Sequence, residues 1–138
     1  MTPSTLHFPI HLLTLIFFVL TTSAYTQSSP RYEKDYADYI QSLIGGEREV
    51  QVVGGRADLV TEDYAIEIEW APKWKEAIGQ CLWYAMNTRK KPGIILIIEH
   101  PNQYKYFQQL NSALEFANLD KSIRVHAFPY DFETLMGK

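Results

Sequence analysis

Five consecutive large aliphatic residues place the strongest constraint on how this chain can fold. They form the segment Ile94–Ile98, which contains no polar residue. A strand with one face in water alternates polar and apolar residues, whereas a strand covered on both faces reads as a continuous run of Val, Ile and Leu. The run therefore predicts a strand inside a sheet that helices cover on both sides.

Periodicity and turn residues divide the rest of the chain into short elements. The spacing of apolar residues predicts helices at Arg31–Ile44, Lys73–Met86 and Asn102–Ala117, and strands at Glu49–Val53, Ala57–Thr61, Tyr64–Trp70, Ile94–Ile98 and Ile123–Phe128. Because a helix separates the third strand from the fourth, parallel pairing is expected at the centre of the sheet. We predict an α/β (α+β) fold in a single domain over residues 31–138. It has an αβββαβ core and a mixed central sheet flanked by helices.

The first 26 residues are typical of a secretory signal peptide. Leu12–Leu20 is an apolar run too short to span a bilayer, which takes roughly 20 residues. Small residues of the kind that signal peptidase accepts follow near Ala24. The prediction is a cleaved signal over residues 1–26 and a secreted or periplasmic protein without membrane attachment. Only His7 and His11 precede the run where Lys or Arg is usual, so an uncleaved anchor and a misplaced start codon are alternatives.

The balance of charge argues against a broad basic surface. The chain carries a net charge of −3, which gives no general field to attract nucleic acid. Contact with DNA or RNA is therefore expected only at local patches, with Lys73, Lys75 and the run Arg89–Lys91 as candidates. For that run we favour a different interpretation, a solvated helix end whose charges complement the helix dipole.

Three acidic residues lie on neighbouring predicted strands. Asp58 belongs to the second strand, and Glu67 and Glu69 lie on one face of the third, about 7 Å apart at Cα. Burying three carboxylates is unfavourable without compensation, and a divalent cation such as Mg²⁺ prefers carboxylate oxygens. Strand alternation by itself favours the alternative that this face is exposed and that both glutamates are ordinary polar positions of an edge strand.

The order of elements around these acids resembles the PD-(D/E)xK nuclease superfamily, which has a restriction-endonuclease-like fold. In that superfamily an αβββαβ core places an aspartate at the start of one strand and a (D/E)-x-K motif on the next. The resemblance covers roughly residues 31–100. It implies that Asp58, Glu67 and the backbone carbonyl of Ile68 bind the metal ion. Glu69 stands where the family usually has lysine, and Lys73 is expected to act on the scissile phosphate in its place.

The second predicted helix carries another motif of the same superfamily. Gln80 and Tyr84, spaced i and i+4, resemble the QxxxY motif of the RecB-type and lambda-exonuclease-type branches, where the pair lies beside the active site. The first helix of the family often contributes a glutamate to the metal site. Glu33 is the expected residue, with Glu47 and Glu49 as alternatives.

The resemblance implies Mg²⁺- or Mn²⁺-dependent hydrolysis of phosphodiester bonds in nucleic acid, with DNA as the expected substrate. The expected catalytic residues are Asp58, Glu67, Glu69, Lys73, Gln80 and Tyr84, and the expected substrate contacts are Lys73, Lys75 and Arg56. The glutamate in place of the motif lysine leaves an alternative, a module that keeps the fold but serves only in binding or structure.

Overall fold

The computed structural model describes residues 32–135, and the signal peptide expected over residues 1–26 lies outside that part. The helices are α1 (Glu33–Ile44), α2 (Trp74–Thr88), α3 (Tyr104–Phe116) and the short α4 (Phe132–Leu135). The strands are β1 (Glu47–Val52), β2 (Gly55–Val60), β3 (Tyr64–Trp70), β4 (Lys91–Ile97) and β5 (Arg124–Phe128). The order α β β β α β α β is as predicted, and the short α4 follows it as an element that was not predicted.

The five strands form one mixed sheet in the order β1-β2-β3-β4-β5. The first three strands are antiparallel neighbours, and β3, β4 and β5 run parallel. The register between β3 and β4 extends from Tyr64 opposite Lys91 to Trp70 opposite Ile97. The prediction of a mixed sheet with parallel pairing at its centre is confirmed.

Helices cover both faces of this sheet. On one face, Ala37 and Ile40 of α1 pack in a cluster with Ile68 and with Ile95. On the other face, residues of α2 and α3 pack with Leu96 and its neighbours. All five residues of the Ile94–Ile98 run are at most 3% exposed, as expected for a strand enclosed between two layers.

The ends of all three predicted helices differ in the structure, and for α1 and α2 the reasons are local. Helix α1 begins at Glu33, because the Tyr32 backbone N–H donates to Asp35 Oδ2 (3.2 Å), which satisfies a free donor at the start of the helix. Helix α2 continues to Thr88 and ends at Arg89, whose φ of 57° is left-handed. The basic run therefore ends a helix at Arg89, while its last residue, Lys91, begins strand β4.

No helix within residues 32–135 has the length and hydropathy needed to cross a membrane.

Candidate acidic site beside strand β3

Strand β3 holds two acidic side chains inside the protein. Glu67 is 4% exposed and Glu69 is 6% exposed, because β3 is a central strand paired on both sides. The alternative of an exposed edge strand is therefore wrong. Ile68 packs on the α1 side of the sheet, so alternation along the strand directs the two glutamates to the opposite side. Burial and the nearby charge of Glu67 raise the pKa of Cys81 on α2 to about 12, which agrees with this orientation.

Asp58 occupies a gap between strands β2 and β3. The two strands pair only at Leu59–Ile66 and Val60–Ala65. Beyond these pairs, the backbone N–H of Ile68 donates a hydrogen bond of 2.9 Å to Asp58 Oδ2. The carboxylate thus takes the place of a strand carbonyl, and this brings it beside the glutamates of β3. Burial raises the pKa of Asp58 above its usual value, although the bond from Ile68 opposes the shift.

Glu67 is the most strongly perturbed acid of the site. Burial is the largest cause that raises its pKa to about 9, followed by the negative charges of Asp58 and Glu69. A hydrogen bond between the Glu67 and Asp58 side chains favours the protonated form of Glu67 as well. Glu67 therefore holds a proton at neutral pH. Its Oε2 atom is buried and has no hydrogen-bond partner.

Glu33 reaches the same site from helix α1. Burial raises its pKa to about 7, and a side-chain hydrogen bond with Glu69 is the next cause. Glu69 Oε1 also accepts a hydrogen bond from the Trp70 backbone N–H at 2.8 Å. The site therefore contains a second pair of carboxyl groups besides Asp58 and Glu67, and of the three glutamates considered for this position the structure places Glu33 there.

Lys73 supplies the positive charge of the site. It ends the short 3-10 turn between β3 and α2, and its Nζ lies 3.4 Å from Glu69 Oε1. The charge of Glu69 raises the pKa of Lys73, so the ammonium group is firmly protonated. The lysine side chain is 53% exposed, whereas that of Glu69 is 7% exposed. Lys73 thus connects a buried carboxylate with the solvent.

Two basic residues predicted to bind substrate make other contacts. Arg56 Nη1 lies 3.2 Å from Glu49 Oε2, at the antiparallel edge of the sheet. Lys75 Nζ lies 5.6 Å from the ring centroid of Trp74. Within residues 32–135, neither of them forms an ion pair with the acids described above.

Gln80 and Tyr84 lie on successive turns of α2 and differ in their surroundings. Tyr84 is 7% exposed and packs with Ala57 and Ala65. A Cβ atom at Gly55 would come within 3.0 Å of its ring, so Tyr84 fits closely against the start of β2. Gln80 Oε1 is buried without a hydrogen-bond partner, a property it shares with Glu67 Oε2 among the described residues. Two buried acceptors thus lack a donor.

The carboxyl groups of the site determine whether a divalent metal ion can bind there. Within residues 32–135, no three His, Cys, Asp or Glu side chains form a ready-made group of metal ligands. The carboxyl groups are arranged instead as the pairs Asp58–Glu67 and Glu33–Glu69. The donors are nevertheless all oxygens, and one oxygen of Glu67 is buried without a partner. Asp58 and Glu67 therefore fit a hard divalent cation in their chemistry.

Arg48 is a residue of the site's surroundings that sequence reasoning missed. Its Nε donates to the backbone oxygen of Asp58 (2.8 Å), and its Nη1 donates to Asp38 on α1 (2.5 Å). Its charge is among the causes that lower the pKa of Asp58. Only the register of β1 with β2, which sets Arg48 opposite Leu59, brings it there.

Comparison with known proteins finds partial similarity. No family model and no solved structure matches the chain. The putative KilA-N domain-containing protein L33 of Acanthamoeba polyphaga mimivirus is 44% identical over 54 residues, which is 39% of this chain and 22% of that protein. The putative KilA-N domain-containing protein L32 of the same virus is 35% identical over 71 residues, 51% of this chain and 19% of that protein. The chain spans about a fifth of the length of these relatives.

Proposed function

We propose that this domain is a nuclease of the PD-(D/E)xK type that hydrolyses phosphodiester bonds in nucleic acid, with DNA as its substrate. The observation that carries the proposal is the meeting of motif residues from strand β2, strand β3 and the turn that follows β3. Asp58 and Glu67 share a hydrogen bond, and Glu69 forms an ion pair with Lys73 beside them. Acidic residues with shifted pKa values that lie together beside a lysine are characteristic of functional sites.

The fold adds support. The αβββαβ order and the mixed sheet are those expected from the resemblance to this superfamily. The two similar mimivirus proteins are named as KilA-N domain-containing, and the matched segment is about a fifth of each of them. It is therefore the fold that favours nucleic acid as the partner.

The residues of the site divide into a cation-binding and a phosphate-binding part. Asp58 and Glu67, with the backbone carbonyl of Ile68, would hold Mg²⁺ or Mn²⁺. When bound, such a cation supplies positive charge to a phosphate oxygen and lowers the pKa of a bound water. Glu33 would be a further ligand. Without a cation, Glu67 keeps its proton, which offsets the repulsion from Asp58.

Lys73 has the position that a phosphate partner needs. Glu69 raises its pKa further above the ordinary value of 10.5, and half of its side chain is open to solvent. A positive charge fixed near the site stabilises the negative charge that develops on a phosphate during its hydrolysis. Glu69 thus positions this lysine at the site. From the resemblance, Gln80 would orient a water or a ligand, and its buried oxygen has no donor within residues 32–135.

A second candidate function is nucleic-acid binding without catalysis by the same fold. The observation that favours it is the absence of a preformed group of three metal ligands within residues 32–135. The engagement of Lys73 with Glu69 points the same way, because an ion-paired lysine offers less of its charge to a phosphate.

A plasmid-nicking assay separates the two functions. We expect the chain to nick supercoiled DNA with Mg²⁺ or Mn²⁺, and EDTA to stop the reaction. D58N and E67Q should abolish cleavage, and K73A should lower it roughly a hundredfold. E115Q, which removes an exposed carboxylate on α3, is the matched control and should cleave like the wild type.

The same preparation tested for an electrophoretic mobility shift settles the outcome. DNA binding by the wild type without cleavage in either metal would support the non-catalytic module. If the wild type neither binds nor cleaves DNA, that result contradicts both functions. Circular dichroism of each variant confirms that it is folded.

A further inference from the structure

A cavity of about 680 Å³ lies near the amino-terminal ends of β4 and β5. Lys91, Lys121 and Arg124 line it, together with a single acid, Asp120. Three cations against one acid is the reverse of the balance of the whole chain, whose net charge is −3. This cavity is therefore a local positive region on an acidic protein.

Two of the three cations of the cavity lie over one aromatic ring, and none of the three has an acidic partner within residues 32–135. Arg124 lies 4.8 Å and Lys91 lies 5.7 Å from the ring centroid of the same residue, Tyr64. No ion pair joins these cations or Lys121 to an acid of residues 32–135. Like charges held beside one ring repel each other, and an anion between them would remove that repulsion.

The remaining lining suits a ligand larger than an inorganic anion. Asn111, Ser122 and Thr134 offer uncharged hydrogen-bonding groups to the same cavity. Its volume lies within the range of about 300–1,000 Å³ that is usual for small-molecule sites. An adjoining hollow of about 310 Å³ shares Arg124 but is also lined by Glu62 and Asp63, so it lacks a uniform positive charge.

We propose that the larger cavity binds a phosphate-bearing ligand of nucleotide size, with Arg124 as the main phosphate contact and Lys91 and Lys121 as supporting cations. The planar guanidinium of Arg124 can donate two parallel hydrogen bonds to a phosphate. The phosphate belongs to a free nucleotide or to a nucleic-acid strand. The cavity is separate from the acidic site, because Tyr64 and Glu69 are five residues apart along β3, about 16 Å.

Calorimetric titration of the chain with inorganic phosphate and with adenosine 5′-monophosphate tests the cavity directly. We expect the nucleotide to bind more tightly than phosphate, because it also contacts the uncharged lining. R124Q should weaken nucleotide binding roughly tenfold. The matched control is K105Q, since Lys105 also lies over a tyrosine ring (Tyr106, 5.1 Å) but does not line the cavity.

Fluorescence anisotropy with a short 5′-phosphorylated oligodeoxynucleotide distinguishes the two sources of phosphate. If R124Q weakens binding of the oligonucleotide and not of the mononucleotide, the phosphate belongs to a strand. Should R124Q lose its fold, R124K is tested instead. It keeps the positive charge but lacks the two parallel donors of the guanidinium, so a partial loss of binding is expected. Binding of all probes that is the same in R124Q, R124K and the wild type overturns the proposal, as does the failure of the wild type to bind any of them. The result is independent of nuclease activity, which neither measurement uses.

Discussion

Substitution of Glu67 by glutamine will increase the free energy of unfolding at neutral pH when divalent cations are absent. In the native protein the pKa of Glu67 is about 9, so its carboxyl group is protonated at pH 7. In the unfolded chain the value returns to about 4.5, and the group is ionised. Glutamine resembles the protonated carboxyl in shape, and its amide can donate to Asp58 as the carboxyl does.

The magnitude follows from the protons that each state binds. Between pH 4.5 and pH 9 the native state binds more protons at Glu67 than the unfolded state, so the stability of the wild type falls as pH rises through this window. At pH 7 the cost of keeping the proton is about 1.4 kcal/mol for each of 2.5 pH units, or roughly 3–4 kcal/mol. Glutamine avoids this cost. The difference in free energy of unfolding between E67Q and the wild type should approach zero near pH 4.5.

Urea unfolding followed by circular dichroism in EDTA measures the effect. We expect the stability difference between E67Q and the wild type to be small at about pH 5 and to widen by about 3 kcal/mol by about pH 7. E115Q serves as the control, because Glu115 is exposed on α3. A difference that stays constant across this range, or an E67Q variant less stable than the wild type at pH 7, would refute the reasoning.

Four further substitutions test the packing by the same urea unfolding. G55A should destabilise by about 1–3 kcal/mol, since its Cβ would lie 3.0 Å from the Tyr84 ring. G79A is its counterpart and should stabilise by about 0.5–1 kcal/mol, because helix α2 leaves its Cβ free of contacts within 4 Å; equal effects would contradict this account. R89G should stabilise by up to about 1 kcal/mol by relieving the left-handed conformation, and a lower urea midpoint would count against it. L96A should destabilise by about 2–5 kcal/mol as a fully buried side chain is lost. A smaller loss of stability would show that the core collapses into the space that the leucine leaves.

Much of the fold could be predicted because its signals are local. The Ile94–Ile98 run is uniform enough to specify a strand enclosed on both faces, and the helix before it requires parallel pairing with β3. The exact ends could not be predicted in the same way. They depend on single interactions, such as the hydrogen bond from Tyr32 to Asp35 and the left-handed residue Arg89.

The sequence was enough to predict which residues form the site, but not how deeply they are buried or what surrounds them. Alternation along one strand was enough to place Glu67 and Glu69 on the same face. Their burial depends on the neighbours of β3 in the sheet, which are brought there by the tertiary fold. The same holds for Arg48, which reaches Asp58 only through the register of the first two strands. Whether the assembled site is catalytic stays a prediction.

The hydrogen bond from Ile68 to Asp58 has a consequence for hydrogen exchange. A backbone amide in a regular ladder exchanges when two strands separate, whereas the Ile68 amide is released when one side chain rotates. The β1–β2 hairpin is joined to β3 at two residue pairs, and β3 is joined to β4 at seven. Fewer residue pairs therefore join the hairpin to β3 than join β3 to β4, and we expect the amides between β2 and β3 to exchange faster than those of the parallel half. Any ligand that holds the Asp58 side chain in place will slow exchange at Ile68. It will also stabilise the contact between the β1–β2 hairpin and the parallel part of the sheet.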